Sequence, residues 1–158
     1  MESRKVKILK KSDIKVSTAH HLIGRRTFYL VEDIHFIKLH PQKIEKGKAL
    51  EPEASVVVSN TESLFIFIDA AKAENGLFYT SFEVHYPTGG SSSWPCTGRG
   101  SNAGRTFRAA LKKGLEALKG YRQYANSSPD KRVIGIADRA IRKIQESSIY
   151  QMDIFDIL

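Results

Sequence analysis

The sequence predicts an α+β domain: an antiparallel sheet of about four to six strands in the N-terminal half, with two C-terminal helices packed on one face. Three observations carry this expectation. Residues 1–87 are dominated by short runs rich in β-branched and aromatic residues. Residues 104–144 repeat apolar side chains at helical spacing. Alternating βα units, the mark of a parallel doubly wound sheet, are absent. A length of 158 residues suits a single domain spanning 1–158 with a sizeable core.

Taken in order, Val6 to Leu9 and Ile14 to Val16 read as short strands flanked by lysines, as at a sheet edge. Thr27 to Leu39 reads as one long strand or as two broken near Glu32-Asp33. Ala54 to Val58 and Leu64 to Ile68 form a hairpin around Ser59-Asn60-Thr61-Glu62. Asn75-Gly76 is a turn signal, and Phe78 to Tyr86 alternates cleanly. Phe78, Thr80, Phe82, Val84 and Tyr86 share the face expected in the core, leaving Tyr79, Ser81, Glu83 and His85 on a face expected to meet solvent. A first helix covers Gly104 to Tyr124 through Phe107, Leu111, Leu115 and Leu118. Ser128 as N-cap and Pro129 at the first helical position open a second, carrying Val133, Ile136, Ala137, Ala140, Ile141 and Ile144. The tail, residues 148–158, is apolar enough to dock on the core or on another chain, including a second copy as a homodimer.

Charge gives the first functional direction. A formal net charge of +8 favours polyanionic partners, and the excess gathers in Arg4 to Lys15, Arg99 to Lys113 and Lys131 to Lys143. A single cysteine excludes an internal disulfide and a multi-cysteine metal site. The charged N-terminal stretch lacks a signal peptide's apolar core and no segment has membrane-span length, so a cytoplasmic, membrane-free protein is expected.

The basic, Gly/Ser-rich loop 87–104 holds the lone Trp94 and Cys96, and no acid lies between Glu83 and Glu116. A flexible loop feeding cations into a helix start suits anions, phosphates above all. The expected anion-binding residues are Arg99, Arg105, Thr106, Arg108, Lys112 and Lys113. Trp94 and Tyr79 supply rings for stacking on unpaired bases. The stretch GRGSNAGRT is not a P-loop: five residues separate its glycines and arginine replaces the lysine. Arg139, Arg142 and Phe155 offer a second surface, for an acidic protein partner.

Enzyme chemistry finds little support. The histidines, His20, His21, His35, His40 and His85, include no pair at the helical i,i+4 spacing of a zinc motif. Cys96 with His85 lacks a third, orienting residue. Carboxylates such as Asp69, placed at a strand end, form no dyad recognisable from spacing. The sequence therefore leads to a non-enzymatic nucleic-acid-binding module without cofactor or metal, single strands preferred. A protein-binding regulator, or a binder of a small phosphorylated ligand at the loop–helix junction, is the alternative.

Overall fold

The computed structural model describes residues 6–23, 26–91, 94–98, 100–124 and 126–157, with Ser91 and residues 147–157 described by backbone alone. Seven strands form one mixed, mostly antiparallel sheet, and two C-terminal helices pack on it. The strands are β1 (Thr27–Leu30), β2 (Pro41–Gln42), β3 (Ala54–Asn60), β4 (Phe65–Ala73), β5 (Phe78–Tyr86), β6 (Gly89–Ser91) and β7 (Asn102–Gly104). The helices are α1 (Phe107–Leu118) and α2 (Lys131–Ile157).

The two hairpins form where the turn residues require them. β3 and β4 pair antiparallel, with a register shift between Val57 and Ser59, and Thr61 closes the turn by hydrogen bonds to Leu64. Asn75-Gly76 joins β4 to β5: Gly76 adopts φ 85°, where a Cβ is strained, and the Asn75 side chain accepts from the Leu77 N–H. The central order is β1-β3-β4-β5-β6. β1 joins β3 in parallel and β2 joins β4 in parallel, which local pattern does not encode. β6 and β7 both pair with β5, one at each end of the same edge.

Thr27 to Leu39 is neither one long strand nor two: β1 ends at Leu30, a 3-10 helix spans Val31–Phe36 around Glu32-Asp33, and residues 37–39 form no strand. Asp33 there is fully buried and accepts from the Lys7 N–H at 3.3 Å. The N-terminal runs are not edge strands. Ile8 makes a lone bridge to Tyr29, and 3-10 turns occupy Lys11–Asp13 and Ser17–Leu22. Leu9, Ile14 and Val16 instead bury against Phe28, Phe65 and Phe67. Hydrogen bonds from the Lys15 N–H to Asn60 and from Asn60 to the Asp13 carbonyl anchor this arm.

That arm explains the main departure from expectation. Alternation in β5 is as read, but both faces are covered. Val84 faces the helical side with Val56, Ile66 and Ile68, while Tyr79, Ser81, Glu83 and His85 are buried on the other side. A sheet covered twice has no solvent face for polar residues, so those present must find partners.

On the helical side, Leu111, Leu115 and Leu118 of α1 and Val133, Ala137 and Ile144 of α2 complete the core. Thr106 caps α1 by accepting from the Ala109 N–H. The helix stops at Leu118, short of the expected Tyr124. α2 begins at Lys131 rather than Pro129, because Asp130 and not Ser128 accepts from the Arg132 N–H. Its backbone stays helical to Ile157, so the tail extends α2.

Gly114 lets α1 lie close against β5 of the sheet. A Cβ there lies 2.6 Å from Thr80 Oγ1, whose hydroxyl is held in a 2.7 Å hydrogen bond to the Ala110 carbonyl. Gly114→Ala gains about 1 kcal/mol of helix propensity. The overpacking against a fixed hydroxyl outweighs this gain, and a net loss of about 1–2 kcal/mol is expected in urea denaturation.

Candidate functional site

The loop after β5 is pinned by its own chemistry. Pro95 is buried, and its carbonyl accepts from the Leu50 N–H at 2.7 Å. Leu50 packs with Ala71 and Tyr79, on the face opposite the helices. The loop is thus anchored on that face, and Trp94 beside it is 51% exposed. β7 then brings the chain back along the β5 edge into α1.

This path separates residues that the sequence groups together. Arg105, Lys112 and Lys113 are exposed on the α1 layer, while Trp94 projects from a loop anchored across the sheet. Arg108 is half-buried, lines a small cavity with Phe107, Ile34 and His35, and is engaged rather than free. Thr106 spends its hydroxyl oxygen on the helix cap. Arg99 lies outside the described residues, as does the side chain of Phe155. Arg139 and Arg142 are exposed on α2.

Tyr79 requires a correction. Its ring, expected on an exposed face, is 4% exposed and packed on Leu50, Ala71 and Ala73, with its hydroxyl accepting from Asn75. No face of that ring is open to a base, because Leu50 and Ile44, from the segment between β2 and β3, help cover the sheet there.

Ion pairing on the helical layer is uneven. Lys119 holds both Glu116 and Asp138, Lys143 holds Glu32, and Asp130 stands 3.7 Å from Arg132. Arg105, Lys112, Lys113, Arg139 and Arg142 have no carboxylate partner among the described residues. Exposed pairs of this kind contribute little to stability, but they do decide which charges remain uncompensated.

A second constellation is buried on the opposite face. Arg26, at the entry to β1, donates through Nη1 to Asp69 of β4 at 2.5 Å and to Glu83 of β5 at 2.9 Å. The side chains are 6%, 0% and 1% exposed, which makes this a charge cluster within the core. Ser55 of β3 donates to Asp69 at 2.6 Å, and the guanidinium lies over the Phe67 ring. Two carboxylates facing one guanidinium leave an excess negative charge, which burial penalises heavily.

A shared proton removes that excess. Burial, then a hydrogen bond with Glu83 and repulsion from it, push the Asp69 carboxyl up to about 8, against the pull of Arg26 and Ser55. His85 stacks on Phe67 with ring centroids 5.6 Å apart, and its Nε2 lies 3.4 Å from Glu83. Burial, then the Arg26 charge, lower its pKa against the attraction of Asp69, so the ring is neutral near pH 7. The His85–Glu83 contact is accordingly a long hydrogen bond, not an ion pair.

Sequence reasoning missed this cluster by placing Asp69 at a strand end, whereas β4 runs on to Ala73. A signal was present: one carboxylate inside the apolar run FIFIDAA, and another inside FYTSFEVHY, each demanding a partner. The pairing of Cys96 with His85 does not form, since Cys96 is exposed and His85 buried behind Gly90. Among the described residues no group of three or more potential ligands is arranged for a metal, and no helix is long and apolar enough to cross a membrane. Comparison with protein-family models, with curated proteins and with solved structures finds no match.

Proposed function

With no relative to lend a function, we propose from its charges that this protein is a non-enzymatic module that binds nucleic acid through the helical layer. The observation that carries the reading is the imbalance of charge there. The acids Glu116, Asp138 and Glu32 are taken up by Lys119 and Lys143, while Arg105, Lys112, Lys113, Arg139 and Arg142 have no carboxylate partner among the described residues. Unpaired cations on one layer raise the local phosphate concentration and release counterions on binding.

Trp94 supports a preference for single strands. It emerges around the β7 edge from the α1 cations, and a flexible strand can turn that edge to stack a base on the indole. A duplex, with a persistence length of about 150 base pairs, resists such a path.

Fluorescence anisotropy of labelled oligonucleotides across a salt series tests the reading. Affinity is expected to fall steeply with salt. Replacing Arg105, Lys112 and Lys113 together by alanine is expected to flatten the log–log slope by about 2, at roughly 0.7 per phosphate contact on a single strand. Trp94→Leu is expected to weaken single strands by about 1–3 kcal/mol and to leave duplex binding unchanged. Salt-independent binding, or an unchanged slope in the triple variant, overturns the proposal.

A further inference from the structure

A groove of about 540 Å3 opens over the buried cluster and not on the helical layer. Arg26, His40, Gln42, Glu51, Pro52 and Glu53 line it. Two of these residues, Arg26 and Glu51, keep hydrogen-bonding capacity that nothing among the described residues uses. The Arg26 side chain is more than nine-tenths buried, yet its contacts to Asp69 and Glu83 both run through Nη1. Its Nε and second amino group make no hydrogen bond among the described residues. A guanidinium fixed from behind by two carboxylates has lost its rotamer freedom before any ligand arrives, so its remaining donors are preorganised.

At the rim, Glu53 is occupied by the backbone N–H and ring of His40. Glu51 is different. Its backbone is tied to the Gln42 amide through both N–H and C=O, while its exposed carboxylate has no partner among the described residues. Arg26 and Glu51 line one groove without pairing with each other. Burial of Arg26 keeps its unused N–H donors deep, and the Glu51 carboxylate stays at the mouth. Polyanions are disfavoured by Glu51 and Glu53 at the entrance, which separates this groove from the nucleic-acid surface.

We propose that the groove binds a small amino-carboxylate, such as a free amino acid or the end of a short peptide, with its carboxylate on Arg26 and its ammonium on Glu51. Planar carboxylates match the donor fork of a guanidinium, and a carboxylate placed deep with an ammonium outward complements the unused donors of Arg26 and the Glu51 carboxylate. A groove of this size holds such a molecule with water to spare, and Pro52 gives it an apolar wall.

The test uses the full chain in thermal melts and in amide NMR titrations with glycine, L-alanine, L-glutamine and dialanine. Acetate and methylammonium at matched concentration supply each charge alone. At least one amino-carboxylate is expected to raise the melting temperature and to shift amide signals of residues 26–27, 40–42 and 51–53. Neither single-charge probe is expected to do so. Glu51→Gln, at an exposed position that folding does not need, is expected to weaken binding by about tenfold. Arg26→Lys is expected to weaken it further where that variant folds. Failure of every amino-carboxylate, equal effects from acetate, or undiminished binding by Glu51→Gln overturns the proposal. None of these results bears on oligonucleotide affinity, so the two readings stand or fall apart.

Discussion

Replacing Arg26 by methionine is expected to lower the unfolding free energy by about 3–5 kcal/mol, the largest effect of any single substitution considered for this protein. The side chains of Asp69 and Glu83 are 0% and 1% exposed, so removing the guanidinium strands their charge without water to replace it. Methionine keeps much of the aliphatic bulk over Phe67, so lost packing explains little of the change. Chemical denaturation followed by circular dichroism measures the effect. The triple variant Arg26→Met, Asp69→Asn, Glu83→Gln isolates its origin: with no charge left to strand, most of the stability is expected to return. A triple variant as unstable as the single one indicates that shape, not charge, makes Arg26 necessary.

The second large effect is on the pH dependence of stability. Asp69 holds its proton in the folded state to about pH 8, whereas an unfolded aspartate releases it near the ordinary value of 3.8. The sign follows from linkage. Below the unfolded pKa both states are protonated, and the contribution is fully present. Between the two pKa values the unfolded chain binds fewer protons, so stability falls as pH rises, by about 1.4 kcal/mol per unit from this group alone. Above about pH 8 both states have released the proton, and the dependence levels off.

Asp69→Asn provides the comparison, because an amide mimics the protonated carboxyl and can still accept from Ser55 while donating toward Glu83. Subtracting the variant's pH–stability curve from the parent's is expected to leave a decline between about pH 4 and 8 that is flat on either side. At pH 9 the variant is expected to be the more stable of the two. A difference curve without slope in that window shows that the pair holds no proton. His85 adds no opposing trend above pH 7, since its lowered pKa leaves the ring neutral there.

Much of the fold is legible in the sequence because its signals are local. The bounds of β5, the Asn75-Gly76 turn and the apolar stripes of both helices follow from periods of two and 3.6 residues, which depend on chain geometry alone. Helix ends were less legible: Ser128 and Asp130 are equally good caps on paper, and only the hydrogen bond to Arg132 distinguishes them. The N-terminal arm misled because lysine-flanked apolar runs look the same whether they pair at an edge or fold over a face. That ambiguity carried through to Tyr79, Glu83 and His85, whose exposure depends on what covers the sheet.

The candidate sites divide along the same line. Uncompensated cations on α1 and α2 are visible as clusters in the chain, but which of them keep their charge free depends on Lys119 reaching Asp138 and Lys143 reaching Glu32. Arg26, Asp69 and Glu83 stand 43 and 57 positions apart along the chain from the arginine, and nothing local relates them. Local periodicity and composition were enough to establish an α+β chain rich in positive charge, since both are properties of neighbouring residues. Parallel pairing of β1 with β3, burial of the second sheet face and assembly of Asp69 and Glu83 under one arginine were decided only in three dimensions. They arise from contacts between distant segments, whose free energy exists only once the chain has closed around them.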